Sequence, residues 1–275
     1  MNRKAIINAD DLGISELRSR GILEAHRKGI VTSTTLLANS PHLESITQWL
    51  RESPQLGVGV HLNLSEGNAI LSHPRSLADD QGRFLGTEET RRRLMEGRFD
   101  RDEMQTEFDL QIRRVRDLGI EPTHLDSHQH IHLYPAVTSA LCWAAQRHGI
   151  TKVRLPREPV PPPGSVTPSI YWELVRYQGL IPKAAQDLSS AGLRTSDHFR
   201  GITLRGGLHF DRFLDMMARL PEGTTEVMVH PGLREPAGKV FPTEDREREL
   251  RLLTDPETRK AVENYGIELI TYRSL

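Results

Sequence analysis

Thr123-His124-Leu125-Asp126-Ser127-His128-Gln129-His130-Ile131-His132-Leu133-Tyr134-Pro135 holds four of the chain's twelve histidines, with an aspartate among them. On an extended chain, residues two apart share a face. A strand running through this stretch would therefore present His124, Asp126, His128, His130 and His132 together. Glu121-Pro122 opens the stretch and Tyr134-Pro135 stops it, because proline fixes φ and has no N–H for a ladder. A helical pattern follows from Val137 to His148. The polar cluster thus sits where a strand hands over to a helix, the end at which parallel α/β folds bind ligands. His-rich tracts in disordered tails bind metal adventitiously. This one lies mid-chain between periodic segments, which favours a built metal site. The stretch alone leaves open which histidines are ligands.

Outward from it, strand and helix patterns alternate in both directions. Toward the N-terminus, Lys4 to Asn8 reads as a buried strand ending in Ala9-Asp10-Asp11-Leu12-Gly13. Ser15 caps a helix that runs to Arg27 and stops at Gly29. Val31 to Asn39 is a second strand, rich in β-branched residues. His42 to Arg51 is a helix, and Leu56 to Leu64 a third strand in which Gly57 and Gly59 signal a close backbone approach or a bulge. Residues 65–100 break the rhythm and read as an excursion over one face, with a short helix at Thr87 to Glu96. Glu103 to Leu118 is a long amphipathic helix. Toward the C-terminus come a strand at Lys152 to Leu155 and a proline-rich loop from Pro156 to Pro163. A helix over 170–190, a short strand at Thr195 to Phe199 and a helix at Asp211 to Leu220 follow. Thr224 to Val229 is a strand ending in His230-Pro231-Gly232. Thr243 to Asn264 is helical, and Ile267 to Tyr272 is the last strand. This alternation implies a parallel sheet with right-handed crossovers. Seven or eight such units in 275 residues favour a closed α/β barrel over an open doubly wound sheet. No internal repeat or linker divides the chain, so residues 1–275 read as one catalytic domain.

The formal net charge of −1 implies no general affinity for nucleic acid or anionic membrane. No run approaches the ~18 apolar residues of a membrane span, and Ala5-Ile6-Ile7 is too short for a signal peptide. Cys142 is the one cysteine, and it reads as a small buried hydrophobe. A reducing cytoplasm is the expected setting.

On a parallel barrel the groups that follow each strand converge on one rim. These are Asp10-Asp11 after the first strand, His61 and Asn63 in the third, Asp126 and His128 in the His-rich strand, and His230 late in the chain. Two neighbouring carboxylates point different ways and can divide labour, one as a metal ligand and one as a free base. Two histidines with one carboxylate leave positions open for water and substrate, the pattern of catalytic metal sites.

Four segments, Asn8-Ala9-Asp10-Asp11-Leu12-Gly13, Gly59-Val60-His61-Leu62-Asn63-Leu64, Thr123 to His132 and Val229-His230-Pro231-Gly232, together resemble the signatures of the YdjC-like carbohydrate deacetylases. Gly29-Ile30-Val31-Thr32-Ser33-Thr34-Thr35 is similar to that family as well, and the match runs through nearly the whole chain in order. This family includes chitin-disaccharide deacetylases and deacetylases of hopanoid biosynthesis. The resemblance implies a (β/α) TIM-like barrel, with a seven-stranded form among those expected. It implies hydrolysis of the N-acetyl group of a small-molecule amino sugar, with Asp11, His61 and His128 as ligands of one divalent metal ion and Asp10 as catalytic base. Magnesium is usual for the family, whereas two imidazoles and a carboxylate suit zinc better, so both ions stay open. Asp126, His130 and His132 would then lie behind the ligands or beside the substrate. His230 is expected to protonate the leaving amine or to orient Asp10. Arg154 and Arg157 are expected to hydrogen-bond sugar hydroxyls, while Tyr171 and Trp172 are expected to pack in the core, with stacking on a sugar ring as the alternative. A homodimer is compatible with the chain. The rivals are a metal-dependent phosphoesterase of amidohydrolase type and a non-catalytic sugar- or metal-binding protein. The first of these usually opens with His-x-His, where this chain has Asp-Asp.

Overall fold

The long first strand, β1 (Arg3–Leu12), is the hub of a parallel sheet. The computed structural model describes residues 2–235 and 243–275. After β1 come α1 (Glu16–Arg27), β2 (Ser33–Leu36), α2 (Leu43–Arg51) and β3 (Gly57–Leu62). The excursion then carries α3 (Thr87–Met95) and leads to α4 (Arg101–Asp117) and β4 (Leu125–Ser127). Next are α5 (Pro135–His148), α6 (Pro168–Ser190), β5 (His198–Arg200), α7 (Phe210–Ala218) and β6 (Gly223–Val229). The chain closes with α8 (Thr243–Thr254), α9 (Pro256–Asn264) and β7 (Ile267–Leu269). The expected helical stretch from Thr243 to Asn264 is two helices, because Asp255 accepts from the Glu257 N–H and caps α9 with Pro256 at its first position.

The strands pair in the order β4-β3-β2-β1-β6-β5, all parallel, and β7 pairs with the start of β1. The ring is completed without a regular strand. Val153 bridges Leu125 of β4 in parallel, and Lys152 bridges Arg194 just before β5. The strand expected at Lys152 to Leu155 exists only as these bridges. The α/β barrel expectation is met, with the helices outside.

Alternation along the strands sorts two layers. Ala5, Ile7 and Ala9 of β1 join Val58 and Val60 of β3 and Val227 and Val229 of β6 in the main core under the helices. Ile6 points the other way, into a small second cluster with Ile270 and Tyr272. Above it the barrel interior is polar: Asn8, Asp10, Thr35, His61, Asp126, Arg154 and Glu226 are all buried. Gly59 shows why the sequence needs a glycine there. A Cβ at that position would lie 2.5 Å from the His124 ring, which stacks on Tyr272 at 3.6 Å between centroids.

The excursion is tied down by one buried carboxylate. Glu107 on α4 accepts from the N–H groups of Ile70 and Leu71, the latter at 2.7 Å. Burial raises its pKa against those bonds.

Candidate active site

Two backbone irregularities place the central side chains. In β1 the register against β2 slips by one residue between Ala9 and Leu12, a bulge, and Asp11 within it has φ 68°. Aspartate tolerates this left-handed region better than most residues, and bulges re-aim side chains beside active sites. Asp10 keeps the inward direction of Ile6 and Asn8, and Asp11 turns toward β3 and β4. In the His-rich stretch β4 ends at Ser127, and a tight turn over His128–Leu133 begins with Gln129 and His130 at φ 56° and 55°. The expected line of five groups therefore breaks after His128.

Asp11 Oδ1 lies 3.1 Å from His128 Nδ1 and 3.6 Å from His61 Nε2, and the two imidazole nitrogens are 3.3 Å apart. These three buried residues can hold one ion. Each is backed by a carboxylate or a cation. His61 Nδ1 donates to Asp126 Oδ1 at 2.6 Å, and Thr35 donates to the other oxygen of Asp126. Glu66 Oε2, from the excursion, stands 3.4 Å from His128 Nε2. Arg246 donates to Asp11 Oδ2 at 3.0 Å. Burial disfavours charge on both histidines. Asp126 and Asp11 outweigh it for His61, whose pKa rises to about 10, and Asp11 and Glu66 outweigh it for His128, which also rises.

A second constellation lies directly beneath. Arg154 has no accessible surface. Its two terminal nitrogens donate to the two oxygens of Asp10 at 2.6 Å each, the bidentate geometry of a strong pair. Further contacts reach Asp126 at 2.8 Å and Glu226 at 2.7 Å. Tyr272 donates to Glu226, and Asn8 donates to Asp10 at 2.9 Å. Burial alone would raise the Asp10 pKa, but Arg154 reverses the sign and keeps it well below the usual carboxylate range. Glu226 goes the other way, raised by burial that Arg154 only partly offsets.

Above both groups opens a cavity of about 510 Å³, whose walls include Asp10, Asp11, His61, His128, His130, Ile170, Glu173, Arg205, Met228, His230 and Glu249. That volume falls within the ordinary range for small-molecule sites. Thr167 and Ser169 at the start of α6 also line it. Gln129 donates to Glu66 Oε1 and to Thr87 Oγ1 of α3. The segment after the proline-rich loop thus lines the cavity, and the excursion reaches its wall through Gln129.

The family model for YdjC-like proteins matches residues 4–264. The chain belongs to the YdjC-like protein family. A carbohydrate deacetylase of Geobacillus stearothermophilus is 34% identical to this YdjC-like chain over 99% of it and 98% of the relative. A chitooligosaccharide deacetylase of Klebsiella pneumoniae is 33% identical, with all of both chains covered. Among solved structures, one from Enterococcus faecalis V583, described by reference to cellobiose-phosphate cleavage, superposes with a TM-score of 0.79 at 28% identity, covering 100% of this chain and 99% of that one. No helix among the described residues is long and apolar enough to cross a membrane.

The structure brings Asp10, Asp11, His61, His128 and His230 of the YdjC-like chain to one cavity. His230 forms no side-chain hydrogen bond to Asp10. Its backbone N–H is taken by Glu249, and burial and Arg246 lower its pKa to about 3. The two arginines need correction. Arg154 is sealed beneath the cavity with its donors committed to carboxylates, so no sugar hydroxyl can reach it. Arg157 is exposed, bonds Thr195 Oγ1 at 2.8 Å, and does not line the cavity. Trp172 is 63% exposed, against the core packing expected of it, and Tyr171 meets it edge-on at 5.4 Å. His124 and His132 are structural. The His132 Nε2–H donates to the Arg154 carbonyl at 3.1 Å, and its Nδ1 accepts from Ser127 at 2.6 Å. Sequence reasoning missed Glu66, Glu226, Arg246 and Glu249. Single acidic or basic residues on a strand, on a helix or in an irregular segment carry no motif, and only the fold gathers them.

Proposed function

We propose that this chain is a single-domain, divalent-metal-dependent hydrolase that removes the N-acetyl group from an amino sugar of the chito-oligosaccharide class. What carries this is the division between Asp11 and Asp10. One is grouped with two histidines and the other is held apart on an arginine, yet both open into one cavity. The donor set fits a metal: two imidazole nitrogens and a carboxylate oxygen lie within 3.6 Å of one another. Borderline N/O ligation of this kind suits zinc, with magnesium as the family's usual ion.

Asp11, His61 and His128 would hold the ion, and Asp126 and Glu66 would orient the two imidazoles through their other nitrogens. The bound ion would supply Lewis acidity for the acetyl carbonyl and its attacking water. Asp10, ionised and fixed by Arg154 and Asn8, accepts the proton of the attacking water. The departing amine needs a proton in turn. His230 stands on the wall where it can pass one on. With its pKa near 3 it is neutral at rest and has to receive the proton during the reaction.

A phosphoesterase with two ions is disfavoured by the second possible cluster, Asp10, His61 and Asp126. It shares His61 with the first, and both its carboxylates already bind Arg154. A cytoplasmic setting belongs to this proposal, since Cys142 has no cysteine to pair with.

The decisive experiment incubates purified protein with a panel of N-acetylated sugars and scans by mass spectrometry for loss of one acetyl group. Acetate release that stops on chelation and returns with about one metal per chain supports the proposal. Release that survives exhaustive chelation overturns the metal requirement, and no release from any member overturns the sugar assignment.

A further inference from the structure

Of the four histidines in the stretch at 123–135, three have an internal use: His128 at the metal cluster, His132 between Ser127 and Arg154, and His124 on Tyr272. His130 has none of this kind. Neither of its ring nitrogens forms a hydrogen bond among the described residues, and Nδ1 is buried without a partner. The residue is only 4% exposed. Nε2 also lacks a partner but, unlike Nδ1, is not sealed from solvent.

The surroundings hold the ring still. Tyr177 and Phe199 meet it edge-on at 5.6 and 5.9 Å, nearly perpendicular. The backbone beneath it is forced into the left-handed region at two successive non-glycine residues, Gln129 and His130. Such conformations persist only where neighbours over-determine them. Here Gln129 is anchored by Glu66 and Thr87 through its side chain, and the Tyr177 hydroxyl lies 3.1 Å from its carbonyl oxygen. The result is an imidazole presented on the wall of the same cavity as Asp10 and the metal cluster.

We propose that His130 is a substrate-binding residue whose imidazole hydrogen-bonds a hydroxyl of the sugar ring seated in this cavity. The inference rests on the amino-sugar proposal above and adds to it the group that reads the ring. An imidazole with no carboxylate partner offers one donor and one acceptor, and a hydroxyl offers the same pair in return. Nδ1 is sealed from solvent, so the hydroxyl bonds Nε2, which has no partner among the described residues and gains one only in the complex, and this discriminates against ligands lacking that hydroxyl.

The test compares wild type with His130→Phe and His130→Asn. Phenylalanine keeps a ring without nitrogens, and asparagine tolerates the left-handed backbone. Steady-state acetate release and calorimetric binding are measured with N,N′-diacetylchitobiose, and zinc affinity is titrated separately. KM and the calorimetric Kd should rise about 10-fold in both variants, the usual cost of one lost hydrogen bond that strands its partner. Zinc affinity should stay within about twofold, and kcat should change less than KM. A folded variant whose KM and Kd match wild type overturns the inference, since a ring that only packs predicts that silence. Zinc affinity falling in parallel with KM also overturns it, by making His130 a support of the metal cluster. If wild type binds the disaccharide but releases no acetate, the deacetylase proposal fails while the two Kd values still decide His130. If wild type does neither, both fall together.

Discussion

The end of β1 and the end of β4 both deliver ligand-type residues to the cavity, and they do it with opposite economy. β1 carries two adjacent aspartates, and both are used, because the bulge at Asp11 turns one toward the histidines and leaves the other on Arg154. The stretch from His124 through β4 and its turn carries four histidines, and one joins the metal cluster. The difference teaches that the density of ligand-type residues in a segment says little about how many converge. Convergence is set by where the backbone leaves the strand, and here a single positive-φ residue in β1 and two in the β4 turn decide it.

The largest effect expected separates the β1 pair. Asp10→Asn should keep metal and lose roughly 10²–10⁴-fold in turnover, the worth of a positioned acid or base. Asp11→Asn should lose metal itself. Metal content and turnover measured side by side would reverse the assignment if Asp10→Asn proved to be the variant without metal.

Next in size is the support beneath that pair. Arg154→Met strands Asp10, Asp126 and Glu226 without their shared cation, and removing one partner of a buried ion network costs about 3–5 kcal/mol. Arg157→Met, at an exposed position, should stay within about 0.5 kcal/mol. Urea denaturation of both distinguishes a buried scaffold from surface decoration, and equal stabilities would dissolve the distinction.

The β4 turn is probed by His128→Gln and His132→Gln. The first should abolish stoichiometric metal binding. The second breaks the Ser127 and Arg154 contacts, should cost about 1–3 kcal/mol of stability, and should leave metal affinity nearly unchanged. Similar metal loss in both would restore the picture of a continuous His-rich ligand strand.

The smallest effect concerns the orienting carboxylate on the excursion. Glu66→Gln should weaken metal binding about 10-fold, at the lower end for an outer partner of a ligand histidine. The same titration should show a pH dependence. In the metal-free protein, burial opposes charge on His61 and His128, but neighbouring carboxylates raise both pKa values, that of His61 to about 10. His61 therefore carries an extra proton near neutrality, His128 is biased toward its charged form by Asp11 and Glu66, and a metal must displace what they hold. Affinity should rise with pH, by about one to two decades per unit from pH 6 to 8. A flat profile would mean that the two imidazoles do not carry displaceable protons.

Much of the barrel was legible because period-2 and period-3.6 patterns are local. Ser15 caps α1 as expected, α5 ends at a left-handed Gly149, and strand and helix alternate nearly throughout. The exceptions are instructive. The strand at Lys152 to Leu155 reduces to two bridges, and the His-rich strand stops at Ser127. In each case a residue that satisfies the local pattern is claimed by a non-local partner: Arg154 by three carboxylates from distant strands, and His128 by Asp11 and His61.

By itself, the sequence determined the order of elements, the family and the residue types at each strand end. These follow from side-chain periodicity, turn chemistry and motifs, all of which act within a few residues. Tertiary structure alone decided which of those groups meet. It sealed Arg154 away from any sugar, drew Glu66 and Arg246 to the ligands, and left His130 unpaired on the cavity wall. The reason is one of range. Desolvation and charge pairing act between side chains brought within a few ångströms, and 144 positions separate Arg154 from Asp10 along the chain.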